Sequence, residues 1–170
     1  MTRTWLLIPV FALLTALGAQ VSVPMTPVPM TLQSLAVVAA GLVLGWLGGG
    51  AAMGLYLLLG AVGLPVFSDG GAGLDALTGP TAGYLWSFPI AAAVAGLAPA
   101  AKGWRGPTLA MAAALFAHAM ILGLGAAWLA RSVGWPEAWG FGVAPFLIGA
   151  VVKSAVAVLA CAALRRFRPA

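Results

Sequence analysis

Long apolar runs alternate along this chain with short stretches where prolines, glycines and a few charged residues gather. The runs lie at about 5–20, 32–47, 48–64, 81–98, 108–130 and 144–164. Each approaches the length needed to cross a ~30 Å hydrocarbon core once flanking residues are counted. The second and third meet in "GWLGGGAAMG" (45–54), where glycine permits a tight turn without adding polarity. Both of these runs are short, so tilt or local bilayer thinning is expected of them. No alternating strand pattern runs through the apolar stretches, and in lipid every backbone polar group must be satisfied internally. The pattern predicts an all-α integral membrane protein. Residues 1–170 would form a single domain, a compact bundle of six transmembrane helices.

Composition agrees, with 63% hydrophobic and 6% charged residues and a mean hydropathy of +1.09. A net charge of +5 would suit a nucleic-acid partner if it were clustered. The basic residues instead stand scattered at the ends of apolar runs, which is a topology signal and argues against nucleic acid. With six spans and both termini cytoplasmic, Arg3, Lys102, Arg105, Arg165, Arg166 and Arg168 fall on the inner face. Asp69, Asp75 and Glu137, with Arg131, fall on the outer one. Trp5, Trp46 and Trp104 then mark inner helix ends, and Trp128, Trp135 and Trp139 outer ones, as aromatic belts. The expected location is the cell membrane, as a multi-pass protein in contact with the lipid bilayer. The basic, then apolar, start of the chain also has the look of a secretory leader. Cleavage there would leave five spans and set the cationic C-terminus against the charge rule, so the stretch is read as the first span.

Two outer loops are unusual in so small a membrane protein. "VSVPMTPVPMTLQ" (21–33) holds three prolines and is expected to be stiff and extended. "GLPVFSDGGAGLDALTGPTAGYL" (63–85) is glycine-rich and long for a connection. Such loops either join helices or pack over a cavity, and a lid over a cavity is the expectation here.

The sharpest chemical feature lies in "PFLIGAVVKSAVAVLACAAL" (145–164), apolar except for Lys153 and Ser154. On a helix Lys153 stands roughly 12 Å from Pro145 and about 18 Å from Arg165. Intramembrane cations mark functional sites by default, unless the side chain snorkels to a surface. Gly149, Ala150, Ala157 and Ala160 on neighbouring turns leave space beside the ammonium. Tyr84 and Trp86 offer flat apolar surfaces with polar handles, or serve as plain core and interface aromatics. Thr31 and Gln33 stand where they could bond a ligand or cap the second helix. His118, midway along the fifth run, reads as a hydrogen-bonded core residue. "ALLTA" places Ala12 and Ala16 one turn apart, which suits close helix approach.

Several motifs in order resemble the BioY family, the biotin-binding S components of energy-coupling-factor (ECF) vitamin transporters. They are Gln20 with "PVPMTLQ" (27–33), "GLVLG" (41–45), "LYLLLGAVGLPVF" (55–67), "GPTAGYL" (79–85) with Phe88, and "PF" (145–146) with Gly149 and Lys153. The resemblance implies a six-helix membrane fold holding biotin near the outer surface beneath loops, with no cofactor beside that ligand. It also implies partners, namely an ECF transmembrane coupling subunit and ATPase subunits. Carried over by position, it points to Gly83 and Tyr84 in "GPTAGYL", where Ala82 replaces a glycine of the family motif. On the last helix it points to Lys153, the lysine of an Asp-x-x-Lys pair whose aspartate is here Ala150. The expected substrate-binding set is Lys153, Tyr84, Gly83, Trp86, Gln33 and Thr31. Biotin's carboxylate would supply the counter-ion that Ala150 does not. In such S components a small-residue pattern on the first helix meets the coupling subunit, which assigns that role to Ala12 and Ala16.

Enzyme chemistry is not expected. All three carboxylates fall in outer loops, the lone Cys161 has no His or Cys cluster about it, and no phosphate loop of the GxxxxGK[ST] type occurs. The alternatives to an ECF component are a stand-alone transporter, an S component for a biotin precursor or another vitamin, and a membrane adaptor without transport activity.

Overall fold

The chain doubles back at Gly45. In the computed structural model, which describes residues 2–99 and 103–166, helix α2 is recorded as a continuous stretch, Gln33–Ala61, but Gly45 within it has φ 76° and ψ 178°. That conformation is readily open only to glycine. The two limbs, 33–44 and 46–61, run antiparallel. Gly49 lies against Gly41, and the Gln33 amide reaches the Tyr56 hydroxyl at 3.0 Å across 23 positions. Residues this far apart on a straight helix would be separated by about 35 Å. Two of the predicted spans are therefore the limbs of one hairpin, turning two to three residues before the boundary read from the sequence. At about 18 and 24 Å, both limbs are short for a hydrocarbon core.

Helix α1 (Thr2–Gln20) precedes this hairpin, and α4 (Ala82–Ala95), α5 (Arg105–Val133) and α7 (Leu147–Arg166) complete the bundle. Two shorter helices were not anticipated. They are α3 (Gly73–Thr78), inside the long glycine-rich loop, and α6 (Trp135–Gly142), which opens on Trp135-Pro136 with proline in the first turn, where its missing N–H costs nothing. The proline-rich loop carries a small antiparallel ribbon, β1 (Ser22–Val23) with β2 (Met30–Thr31), pairing Ser22 with Thr31.

The outer surface is what lipid requires. Ile148 is 80% exposed, and Val152, Leu159, Leu13 and Leu17 are also exposed. So continuous an apolar exterior is foreign to a soluble protein. Small residues point inward instead: Ala12 is 1% and Ala16 9% exposed, on the side of α1 that carries Thr15, whose hydroxyl lies 3.7 Å from Met53 on α2. The two alanines of "ALLTA" thus serve close helix approach inside the bundle.

The two ends of the bundle differ in charge. Asp69, Asp75 and Glu137 all belong to the end where both long loops lie. At the two tips of α5, Arg131 stacks over Trp128 at 4.5 Å and Arg105 over Trp104 at 5.8 Å. Lys102 and Arg168 lie outside the described residues, as do the side chains of Arg3, Arg165 and Arg166.

Candidate ligand-binding site

Between the loops and the helices lies a cavity of about 140 Å³. Both loops wall it, through Val28, Pro29 and Thr31 on one side and Phe67, Ser68 and Ala76 on the other. They are tied down by a specific device: side chains from the bundle hold the loop carbonyls. Tyr56 donates to the Val66 carbonyl at 3.1 Å, Gln20 to Phe67 at 3.1 Å, Trp86 to Leu77 at 2.9 Å and Trp128 to Gly79 at 3.0 Å. A loop folded against a membrane bundle leaves backbone groups away from water, and each must find a partner. Here helices α1, α2, α4 and α5 each supply one.

Lys153 lines the cavity and reaches toward the loop end. Its Nζ donates to the Thr31 carbonyl at 2.6 Å and to Ser34 Oγ at 3.2 Å. Its ammonium thus ends in the cavity wall and not in open solvent. An ammonium has three N–H donors, and the third has no partner among the described residues. Ala150, one turn before it, also lines the cavity, so the position without an aspartate is open wall.

The remaining expected site residues divide. Thr31 and Gln33 both line the cavity. The Thr31 hydroxyl accepts the Gln33 backbone N–H at 3.4 Å, so its side chain meets the first N–H of α2 while its carbonyl holds Lys153. Gln33 donates its amide to Tyr56, which leaves Oε1 without a hydrogen-bond partner among the described residues. The Tyr84 ring faces the cavity, but its hydroxyl donates to the Gly142 carbonyl of α6 at 2.8 Å and is not a free handle. Two residues lie elsewhere. A β-carbon on Gly83 would collide with Trp128, so this glycine lets α4 and α5 approach and does not border the cavity. Trp86 is half exposed on the outer surface, with its indole N–H holding the loop at Leu77.

Other cavity residues were not assigned to the site from the sequence. Phe88 and Phe146 add aromatic wall, and Ile121 and Leu122 add aliphatic wall from α5. Ser34 joins Lys153 to the start of α2. The "PF" pair and Phe88 were visible as motif residues, whereas nothing in the apolar run of α5 marks Ile121 from its neighbours. His118 was read as a core residue and is one, 3% exposed, but it also lines the cavity.

The model of the BioY family matches residues 1–170, the whole chain. This chain belongs to the BioY family. Among its relatives, the Pyrococcus horikoshii protein named "Probable biotin transporter BioY" is 42% identical over 153 residues, covering 90% of each chain. The "Biotin transporter BioY" of Rhodobacter capsulatus is 38% identical, covering 99% of this chain and 96% of its own. Among solved structures, the S-component for biotin from an ECF-type ABC transporter superposes with a TM-score of 0.85 over 98% of this chain and 93% of that one. At 22% identity this likeness speaks for the fold. Membership in BioY, a family of membrane transporters, accounts for the six spans, and the lipid-facing surface is what such a protein presents.

Proposed function

We infer that this chain takes up biotin, as the substrate-binding S component of an ECF-type ABC transporter working with a transmembrane coupling subunit and ATPase subunits. Its place is the bacterial inner membrane, with the cavity end facing outward and both termini inside. The observation that carries this reading is the cavity itself, with one cationic donor free at Lys153 between aromatic walls. Biotin has a carboxylate on an aliphatic chain and an apolar bicycle fused to a cyclic urea. The carboxylate suits the open N–H of Lys153, since a charge-assisted bond is the strong kind. Phe67, Tyr84 and Phe88 suit the chain and bicycle, in keeping with sites that are mostly apolar with few placed polar groups. The names of the relatives support the same ligand. Ala150 leaves the pairing with Lys153 to the ligand, because no protein carboxylate borders the cavity among the described residues.

The test is equilibrium binding and ligand-dependent thermal stabilisation of the purified protein in detergent. At a hundredfold excess over Kd, a ligand bound only by the folded state adds about 2.7 kcal/mol of stability. Biotin should stabilise the protein strongly and biotin amide, which lacks the charge, weakly. Thiamine and riboflavin should do nothing. Equal stabilisation by all four, or by none, would refute the assignment.

A further inference from the structure

His118 contributes a nitrogen for which the described structure supplies no partner. It sits on α5, 3% exposed, and borders the cavity. One edge of the ring is anchored: Nδ1 lies 3.1 Å from the Ala114 carbonyl and 2.9 Å from Ser154 Oγ on α7. Nε2 is buried with no hydrogen-bond partner among the described residues. A carbonyl can only accept, whereas a hydroxyl can donate or accept. The tautomer that satisfies both neighbours therefore carries its proton on Nδ1, which leaves Nε2 a bare acceptor. A buried polar atom left unpaired is costly, so such an atom on a residue that borders the cavity calls for an explanation.

The two polar stations of the cavity stand at different levels. The Lys153 ammonium is drawn to the loop end by Thr31 and Ser34. His118 is held deep in the bundle, against Ala114 and Ser154. We propose that His118 Nε2 accepts a hydrogen bond from a ureido N–H of biotin, so that the ligand lies lengthwise, carboxylate at Lys153 and cyclic urea toward the floor. This rests on the biotin reading above and adds its orientation and a specificity-determining residue. Ser154 acts through the imidazole as a positioning residue.

His118 is the only histidine in the chain, which makes the test direct and independent of any variant folding. The full chain, labelled with ¹⁵N-histidine and placed in lipid nanodiscs, has two ring nitrogens to observe. Nδ1 should appear protonated and Nε2 bare. Saturating biotin should shift the Nε2 resonance toward that of a hydrogen-bonded acceptor. Biotin methylated on both ureido nitrogens should bind at least tenfold more weakly and, at saturation, leave Nε2 where it was. An Nε2 that carries the proton, or that does not move with biotin, overturns the proposal. A second measurement uses binding. His118→Leu should weaken biotin about ten- to a hundredfold, and His118→Gln, which brings an amide oxygen to a similar reach, should recover part of it. Both variants should keep the preference for biotin over biotin amide, which Lys153 sets. Wild type that fails to bind biotin refutes the biotin reading and this proposal with it. Wild type that binds biotin normally while His118→Leu stays within twofold refutes the histidine contact alone.

Discussion

The two ends of this bundle are built on opposite principles. At the Gly45 end the backbones touch. Gly41 and Gly49 lie against one another and against the Ala92 carbonyl, and Gly96 lies against the turn at Gly45 and Trp46. At the loop end α4 and α5 still meet closely at Gly83, but Tyr56, Phe67, Phe88 and Phe146 stand between the other elements, and a cavity opens beside them. Lipid provides no hydrophobic drive for helices to associate, so close contact must come from small residues, and at the Gly45 end these bring backbone against backbone. The bulky side chains at the other end then act as struts. Tyr56 meets Phe67 edge-on at 5.4 Å and stacks on Phe88 at 6.3 Å, which joins α2, the long loop and α4. A cavity can exist at one end because the other is closed tightly enough to fix the helix directions.

The largest effect should come from opening the tight end. A β-carbon at Gly41 would fall on the Ala92 carbonyl and against Ala95. Backbone cannot swing aside as a side chain can, so Gly41→Val should destabilise by about 3 kcal/mol or more, at the upper end for overpacking. Gly54, in the second limb of α2, has open space around it, and Gly54→Ala should melt at or slightly above the wild-type temperature. Thermal unfolding of the two variants in detergent checks this. Similar melting temperatures would mean that the backbone contact at Gly41 does not hold the hairpin.

At the cavity end a smaller loss, confined to binding, is expected from Lys153→Met. This variant keeps the apolar stem and removes the charge. A hydrogen bond to a charged group is worth about 1.5–3 kcal/mol, so biotin should bind roughly ten- to more than a hundredfold more weakly. The preference over biotin amide should nearly vanish. A variant that keeps the wild-type preference would place the carboxylate elsewhere and leave Lys153 as a tie to the Thr31 carbonyl.

The contrast between the ends also explains what could be read from the sequence. The long apolar helices follow from hydropathy and glycine at 45–54 marked the hairpin turn, whereas the short helices α3 and α6 left no such signal. Helix faces were harder. In a soluble protein polarity separates inside from outside, but in lipid Leu13 and Leu17 outside and Ala12 and Ala16 inside are all apolar. Size alone distinguishes them, and small means buried here. Lys153 stood out because a charge in an apolar run has few explanations. Gly83 and Trp86 share a motif with Tyr84, yet on a helix consecutive residues point in different directions. Tyr84 alone of the three faces the cavity. His118 was visible as a residue but not as a site, since its open nitrogen follows from the anchoring of the other by Ser154, 36 positions away.

The smallest predicted effect probes the struts. The Tyr56 hydroxyl accepts from Gln33 and donates to the Val66 carbonyl, linking the start of α2 to the long loop. Tyr56→Phe preserves the ring contacts with Phe67 and Phe88 but leaves a loop carbonyl and the Gln33 amide each short of a partner. An ordinary hydrogen bond contributes about 1 kcal/mol net, so global stability should fall by roughly that much. The local consequence is the more informative one. With Val66 released, Gln20 remains as a side-chain tie on the adjacent carbonyl of Phe67, and the loop should open more often than the bundle unfolds. Amide hydrogen exchange should therefore quicken at 64–72 and stay unchanged at 46–58 in the second limb of α2. Biotin binding should slow that exchange again, because Phe67 and Ser68 line the cavity, and the preference for biotin over its amide should be untouched. Equal exchange in variant and wild type would mean that ring packing, and not the hydroxyl, fixes the loop over the cavity.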